Sequence, residues 1–352
     1  MMLRLRLAQF PTGNQFLHVG VVARNPAQRP GAQEIETAVT DVRIARRLRL
    51  LVDMEHRRRR AHPLIGGVLG GSIQHLLIGA YRAVFRLLRR VGESPDALFL
   101  REPLHWHLAD GFQFRCPQKL PAPLHLLWAV LRGKNADWAQ KTALLRQMAA
   151  LQRWHKRQPP DQSIASWLDE QRVGEDWRAQ FWRPMVLGAL NTPPESASLR
   201  VLCHVLADGV WASRNAGDFY IAKRNLSDTL AAPVLRYLAQ HGAKYRPNCR
   251  IAQVQAASGK VQADGQTFDA AVFAVAPYHL APLLPDHLGD AVRQAVQQLW
   301  YHAITTVYLR YPQPLHLPAA LTGFAHRPTQ WLLDRGRLQH PNEAAAIIST
   351  SD

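Results

Sequence analysis

The segment from Phe181 to Asp228 constrains the fold of this chain more than any other part of the sequence. The Thr-Pro-Pro-Glu at 192–195 has the form of a capping box, with Thr192 as N-cap, proline at the first helical position and Glu195 at the third. One apolar stripe follows at helical spacing, formed by Leu199, Leu202, Val205 and Leu206. Gly209 supplies a stop signal, so the sequence predicts a helix between Thr192 and Gly209.

Aromatic residues flank that helix on both sides. Upstream, Trp177, Phe181 and Met185 recur every four residues and predict a helix that Pro184 bends or ends. Downstream, 211–220 carries three aromatic residues among Ser, Asn, Gly and Asp, which is typical of a loop. Two interpretations follow: a wall around a large apolar ligand, or a helical core with a surface loop. The pattern alone favours the second.

Three blocks of this sequence resemble one known family. They are WRPMVLGALNTPPESASLRVL (182–202), DGVWASRNAGDFYIAKRNLSD (208–228) and FDAAVFAVAPYH (268–279), with weaker agreement at 74–92 and 330–336. The chain resembles, from about residue 74 to 351, the squalene-associated flavoproteins, which are hydroxysqualene dehydroxylases of the amine oxidase and phytoene desaturase superfamily. The resemblance implies an α/β (α+β) fold. In it a partial FAD-binding Rossmann-like domain, of the glutathione reductase type, is joined to a substrate domain of helices and antiparallel sheet.

The resemblance also implies a division of the chain. We expect a flavin-domain portion at 73–103, a substrate domain of hairpin and helices at 104–235, a flavin-domain return at 236–285 and a substrate-domain sheet at 286–352. Residues 1–72 are rich in arginine, do not match the family, and are expected to be poorly ordered. The glycines of LIGGVLGGSIQH (64–75) lack the G-x-G-x-x-G spacing that opens such flavoproteins.

The missing fingerprint and an early C-terminal stop together predict a chain truncated at both ends relative to the family. Our hypothesis for residues 1–72 is an upstream frameshift or a misplaced start. At the other end, the family continues with a glycine-containing segment that closes over the flavin, and this sequence stops before it.

Cysteine use and hydropathy indicate the compartment. Cys116, Cys203 and Cys249 lie far apart without C-x-x-C spacing, which favours a reducing compartment and argues against a disulfide scaffold or a thiolate metal site. The N-terminus lacks the apolar region of a signal peptide, and the weakly polar run 64–80 is a poor membrane span. We expect a cytoplasmic protein that can be peripheral at the inner membrane.

The net charge of +17 has three interpretations. The RRRR at 57–60 could bind nucleic acid, but no helix-turn-helix, zinc finger or RNA-binding motif accompanies it, so no nucleic-acid partner is expected. Attraction to anionic lipid would bring an enzyme to a membrane-dissolved polyprenoid substrate. A solvated basic surface is equally compatible with the composition.

Other segments have clear local signals. Two alternating arms around Ala-Asp-Gly (109–111) predict a hairpin with His105 and His107 on one face; without a third ligand, no metal site is expected there. Helices are predicted from residue 81 to 91, at 124–132, 136–157 and 226–241, and after Ser163. Residues 243–277 predict a meander ending in an apolar strand at 270–276 that is buried on both faces of a parallel sheet. Antiparallel strands are predicted at 301–311, 330–333 and 344–349.

The residues alone show no Ser/His/Asp arrangement, carboxylate pair or phosphate loop, which is consistent with a cofactor performing the chemical step. The resemblance implies FAD and the reductive removal of the hydroxyl of hydroxysqualene to give squalene. This reaction needs an apolar channel, a proton donor and exclusion of water. The catalytic candidates are His75, Tyr220 and Lys223. The substrate-binding candidates are Trp182, Leu187, Asn191 and Phe219. The cofactor-binding candidates are Gln74, Ile251, Ala276 and Pro277; no metal is expected.

Alternative functions remain open from the sequence. A carotenoid-type desaturase would share the fold and FAD but would oxidise its substrate. A non-catalytic remnant would fold in part and bind no flavin. A nucleic-acid binder that uses the arginine-rich N-terminus is the third class.

Overall fold

The computed structural model describes residues 49–50, 76–247, 249–257, 259–284 and 290–351. The chain divides into two units by its internal contacts: unit 1 runs to Tyr237 and resumes at His302, and unit 2 comprises Leu238–Tyr301. The RRRR run, the glycines of 64–75 and the candidates Gln74 and His75 lie outside the described residues.

The described helices are short apart from one of twenty residues. They are α1 (Arg82–Arg90), α2 (Pro95–Leu98), α3 (Leu124–Leu131), α4 (Trp138–Arg157), α5 (Ile164–Glu170), α6 (Glu175–Trp177, continued by a π turn at Arg178–Trp182 and by Arg183–Leu190), α7 (Leu199–Asp208), α8 (a π turn at Ser227–Ala231 continued by Ala232–Gln240), α9 (Pro277–Leu280) and α10 (Asp290–Gln297). Short 3₁₀ turns lie at Ala281–Leu283 and Arg335–Leu338. Among these described segments, none is both long and apolar enough to cross a bilayer.

Every strand pairing in the described ranges is antiparallel. The strands are β1 (Arg49–Leu50), β2 (Leu76–Ile78), β3 (Phe99–Glu102), β4 (His105–His107), β5 (Gln113–Arg115), β6 (Phe219–Ala222), β7 (Val254–Ala257), β8 (Lys260–Ala263), β9 (Gln266–Phe268), β10 (Ile304–Arg310), β11 (Leu321–Gly323), β12 (Trp331–Asp334) and β13 (Glu343–Ser349). They form sheets of order β1-β10-β13-β12-β11, β2-β6-β3, β4-β5 and β7-β8-β9. The described residues thus mix helices with antiparallel sheet, and the assignment of part of them to a substrate domain stays a prediction.

The helix predicted after Thr192 starts later than the capping box indicates. α7 begins at Leu199, and the N-cap is Ser198, whose hydroxyl accepts the backbone N–H of Val201. Thr192 instead donates its hydroxyl to the carbonyl of Leu190. The prediction was wrong because the second proline of the pair disfavours helical geometry at the residue before it. The inward stripe also includes Cys203 in place of the half-exposed Val205, and Gly209 ends the helix as predicted.

Pro184 does not end the helix that precedes α7. α6 continues from Glu175 to Leu190, and a π turn at Arg178–Trp182 comes directly before the proline-bearing section. A wider turn accommodates the missing proline N–H, which would otherwise leave a carbonyl without its helical donor. Within α6 the predicted stripe position Met185 is only half-buried, whereas Phe181 and Trp182 are both buried.

The segment predicted as an aromatic loop contains a strand. β6 is the central strand of its sheet: Tyr220 pairs with Leu77 of β2 on one edge and with Arg101 of β3 on the other. Alternate residues of β6 face opposite sides, so that Ile221 joins the large core of unit 1 and Ala222 joins a smaller cluster under α1. A four-residue strand among turn-forming residues has too short a pattern to be recognised in the sequence.

The large core of unit 1 is built by the predicted hairpin, the helices α4 to α7 and the five-stranded sheet. The predicted hairpin forms, with Trp106 opposite Phe114 and both side chains buried. The C-terminal strands also pair as predicted, β13 lying between β10 and β12. Gly323 of β11 admits the hairpin, because a Cβ there would lie 2.5 Å from Leu108.

Unit 2 contains the predicted meander but not the buried strand. β7 pairs with β8, and β8 pairs with β9 across the Asp-Gly turn at 264–265. The apolar run 270–276 forms no strand, and Val272 is 92% exposed. A β-strand requires hydrogen-bonded neighbours, and no described residue pairs with the run 270–276. The apolar composition of this run is therefore not enough to make it a strand. The structural boundaries of unit 2 also differ from the expected return segment at 236–285, which stays a prediction as a flavin-domain assignment.

Gly79, directly after β2, supports the β6 sheet through a close backbone approach. A Cβ at this position would lie 1.9 Å from the carbonyl oxygen of Asn215. We expect Gly79→Ala to lower the free energy of unfolding by about 2 kcal/mol or more, because the contact is with backbone that cannot move aside cheaply. Urea unfolding measures the change. Gly217→Ala is the control in the facing loop, since its nearest neighbour would be Leu104 at 3.5 Å. Equal stability of the two variants would contradict this account.

Candidate active site

Tyr220 lies in an aromatic cluster between the β2-β6-β3 sheet and α1. Its ring centroid is 4.6 Å from that of Phe85 on α1 and 6.3 Å from that of Phe99 on β3. Phe85 and Phe99 are themselves edge to face at 5.9 Å. The phenol ring is half-buried. Packing on two rings fixes the orientation of Tyr220, because aromatic pairs have strongly preferred geometries.

A fixed positive charge lies beside this phenol. The guanidinium of Arg101 is 5.7 Å from the centre of the Tyr220 ring. Its Nε and Nη2 atoms both donate to Oδ2 of Asp218, at 3.0 and 2.6 Å. The Asp218 side chain is only 4% exposed, so its charge requires this partner. Arg101 therefore serves two purposes: it neutralises a buried carboxylate and presents a cation to Tyr220.

The other two candidates on this strand have different surroundings. Lys223 follows β6 and is exposed; its ammonium donates to the carbonyls of Asp96 and Ala97 in α2, at 3.1 and 3.2 Å. The Lys223 ammonium therefore binds the C-terminal carbonyls of α2 and holds that helix against the sheet. Its described hydrogen bonds are with α2 and not with the Tyr220 phenol. Phe219 pairs with Ile78 and Glu102 across the sheet and keeps a half-exposed side chain.

Trp182 and Leu187, predicted to line a channel, are part of the core. Trp182 has no exposed surface, packs edge to face on Trp167 at 5.3 Å, and donates its indole N–H to Oε1 of buried Gln147 at 3.1 Å. Leu187 is 7% exposed on the next turn of α6. In this conformation the indole of Trp182 has no face for a ligand, and its hydrogen bond satisfies an amide that would otherwise be buried without a partner.

Asn191 joins the end of α6 to the strands of the C-terminal sheet. It adopts a left-handed conformation at the C-cap, with φ of 46°. Its Nδ2 donates to the carbonyl of His302 at 2.9 Å, and its Oδ1 accepts the N–H of Thr350 at 3.0 Å. Asparagine is suited to this position because it tolerates positive φ and offers both a donor and an acceptor. The described contacts of Asn191 are thus structural.

We expect Asn191→Gly to reduce the free energy of unfolding by about 1–3 kcal/mol, because glycine keeps the positive φ but loses both tertiary hydrogen bonds. Gln158→Gly is the matched control: Gln158 also caps a helix at positive φ, but its side chain bonds only within its own helix. There glycine should leave stability unchanged or raise it slightly. Chemical denaturation of both variants decides, and an equally small effect at the two positions would refute a structural role for the Asn191 amide.

The described cofactor-binding candidates lie in unit 2. Ile251 is 38% exposed and precedes β7 rather than lying within a strand. Ala276 is the N-cap of α9, and Pro277 is its first residue. Close to them, Val272, Val275 and Tyr278 form exposed apolar surface.

Exposed apolar side chains of this kind are compatible with contact to the flat ring systems of the FAD that the resemblance implies. Ile251, Ala276 and Pro277 are the residues of this set that would hold it. The described residues contain no G-x-G-x-x-G sequence, and the glycines of 64–75 lie outside them.

His105 and His107 share one face of β4, as predicted, with ring centroids 5.4 Å apart. No group of three His, Cys, Asp or Glu side chains in the described ranges is placed to hold a metal ion. Burial lowers the pKa of His105 to about 4, with His107, Arg115 and Arg337 adding to the effect. The neutral imidazole is therefore the form that the fold favours.

This depressed pKa predicts a stability that depends on pH. The unfolded chain takes up a proton at His105 near pH 6.5, whereas the folded chain does so near pH 4. Stability is consequently present above about 6.5 and is lost as the pH falls through that window toward 4. We expect His105→Gln to flatten the loss measured by urea unfolding across it. The exposed His316, substituted in the same way, is the control; an identical pH profile for His105→Gln and the parent chain would be the contrary result.

Arg101 and Asp218 were not predicted from the sequence as site residues. The sequence did contain a signal, since Arg101 alternates with Phe99 on a short apolar strand and Asp218 directly precedes another. A buried carboxylate such as Asp218 requires a cationic partner. The two are 117 residues apart, however, and nothing local identifies them as partners.

Comparison with known proteins agrees with the resemblance at the level of the superfamily. The 15-cis-phytoene desaturase of Arabidopsis thaliana is 25% identical over 228 residues, which cover 60% of this chain and 40% of that protein. Wild-type putrescine oxidase bound to putrescine superposes with a TM-score of 0.55 at 14% identity, over 79% of this chain and 64% of that one. An oxidoreductase from Methanosarcina mazei superposes with a TM-score of 0.50 at 13% identity, over 62% and 53% of the two chains. The chain thus spans less than two thirds of the length of each of these relatives.

The predicted class of fold, α/β with FAD-binding architecture, is confirmed by these structural neighbours. The family match covers residues 66–343. It therefore starts eight residues before the resemblance of the sequence blocks, which begins at about residue 74. Because this match includes most of the sequence, the chain belongs to the flavin containing amine oxidoreductase family, and its cofactor is FAD.

Proposed function

We propose that this protein is an oxidoreductase of isoprenoid metabolism that removes the hydroxyl of hydroxysqualene reductively to give squalene. The observation that supports an isoprenoid substrate is the sequence relative named for phytoene, at 25% identity. The likeness to putrescine oxidase, at 14% identity, is one of fold only. The specific reaction rests on the blocks 182–202 and 208–228.

The pairing of charges beside Tyr220 favours a neutral substrate over an amine. A protonated amine would find no free carboxylate here, because Asp218 is already paired with Arg101. The pair is neutral as a whole, so it offers an amine no net attraction. Phe85 and Phe99 are buried behind the half-buried Tyr220 ring, so the surface that the phenol offers to a hydrocarbon chain is backed by apolar side chains.

In this proposal Tyr220 donates the proton to the departing hydroxyl, which leaves as water. Its ring is held by Phe85 and Phe99, and the nearby guanidinium stabilises the phenolic oxygen as the proton leaves. The hydride that replaces the hydroxyl is the chemistry that FAD supplies when it is bound in its reduced form. The aromatic cluster keeps water from the carbon that loses oxygen.

Two alternatives compete with this proposal. A desaturase that oxidises a carotenoid precursor is supported by the name of the phytoene desaturase relative. A protein without catalytic activity is the other, because the described residues contain no G-x-G-x-x-G fingerprint for the pyrophosphate of FAD.

The purified chain is therefore first examined for the visible absorbance of flavin, and then incubated separately with hydroxysqualene under reducing conditions and with phytoene under oxidising conditions. We expect bound flavin, squalene from hydroxysqualene, and no desaturated product from phytoene. In Tyr220→Phe the ring packing is kept and the proton is lost, so turnover should fall about 100-fold or more. Tyr81→Phe, a half-buried tyrosine packed on the same cluster, is the control.

Each alternative has a distinct outcome. Desaturated phytoene without squalene would replace our proposal with the oxidative reaction. A colourless protein that does not take up added FAD would identify a chain without catalytic activity. Squalene formation that is unchanged in Tyr220→Phe would leave the reaction in place and remove Tyr220 as the donor.

A further inference from the structure

α3 carries apolar residues on its solvent face as well as on its buried face, where Ala129 and Val130 join the large core. Leu124, Leu127 and Trp128 are 51%, 41% and 45% exposed. Their spacing of three and four residues places them on one face of the helix. His125, outside this face, is 2% exposed. The outer face of a surface helix usually carries polar side chains, so three large apolar residues there are unusual. We call Leu124, Leu127 and Trp128 the α3 patch.

The composition of the α3 patch matches one kind of environment. Leucine together with tryptophan is typical of side chains at the boundary between lipid headgroups and acyl chains, where an indole has an apolar body and a polar N–H. Trp128 also borders a shallow groove lined by Pro103, Arg115 and Pro117. A contiguous apolar surface of this kind marks a site of interaction.

Positive charge surrounds the α3 patch. Residues 115–146 contain six Lys and Arg but a single acid, Asp137. Arg115, Lys119, Arg132 and Lys134 are exposed. The guanidinium of Arg132 is 5.6 Å from the centre of the Trp128 ring, so that the cation and the aromatic residue form one surface. Apolar residues bordered by cations complement an anionic lipid surface, which offers headgroup charge beside hydrocarbon.

We propose that the α3 patch, with its border of Arg115, Lys119, Arg132 and Lys134, docks unit 1 on a bilayer that contains anionic lipid. The patch inserts at headgroup level and the cations bind lipid phosphates. The inference rests on the proposed function in one respect: an isoprenoid substrate is dissolved in the bilayer, which gives docking a purpose. Lipid binding itself requires neither substrate nor turnover, so the two proposals fail separately.

The test is co-sedimentation of the purified chain with vesicles of phosphatidylcholine alone and of phosphatidylcholine with phosphatidylglycerol. We expect binding only to the second kind. The double variant Leu127→Gln and Trp128→Gln keeps every charge and should bind these vesicles at least about tenfold more weakly than the parent chain. Removing the cations in Arg132→Gln and Lys134→Gln should weaken binding about fivefold for each charge.

Leu87→Gln is the matched control. Leu87 is 43% exposed on α1 among arginines, but α1 exposes no second large apolar side chain beside it. It should bind as the parent chain does. Circular dichroism verifies the fold of each variant, and if the double variant unfolds, the single Leu127→Gln decides.

Three results would overturn the proposal. The parent chain fails to bind anionic vesicles; or the double variant binds as well as the parent, in which case arginines elsewhere are responsible; or sedimentation in solution shows a dimer that only the patch variant dissociates, in which case a second copy covers the α3 patch.

Discussion

The rest of unit 1 depends on the hydrogen bonding of β6 along both of its edges. A central strand four residues long leaves no slack in register, and each face of β6 packs on a different cluster. A slip of one residue would exchange Tyr220 for Ile221 and expose an apolar side chain to the wrong neighbours. The close approach at Gly79 and the ion pair of Asp218 with Arg101 flank the strand and hold that register. The aromatic cluster around Tyr220 is therefore a product of sheet pairing as much as of side-chain packing.

Several candidate residues turned out to carry the structure itself. Trp182 and Asn191 were selected as ligand contacts because they belong to a distinctive block, but the first is enclosed in the core and the second joins α6 to the C-terminal strands. A distinctive sequence block is as consistent with precise packing as with ligand binding. The proposed chemistry is concentrated instead on Tyr220, whose neighbours Arg101 and Asp218 come from two separate strands and loops.

Prediction from the sequence succeeded where a local period determines the structure. The hairpin around Ala-Asp-Gly, the long helix α4 and the C-terminal strands follow from alternation or helical spacing within ten to twenty residues. The start of α7 was missed for a local reason, because the pair of prolines after Thr192 delays the helix. The other misses involve pairing: β6 depends on two strands more than 100 residues away, and no described residue pairs with the run 270–276. The FAD-binding class of fold was recognised through resemblance rather than through any of these patterns.

The π turn in α6 has a consequence for how the sequence aligns with its relatives. A π turn contains one residue more than the α-helical turn it replaces, so it corresponds to a single insertion held within an intact helix. On either side of it the inward positions follow separate four-residue series, one through Trp177 and Phe181 and one through Trp182, Val186 and Leu190. A relative whose helix lacks the wide turn would need a one-residue gap here for the two series to coincide, and an ungapped alignment would misassign every inward position on one side of it.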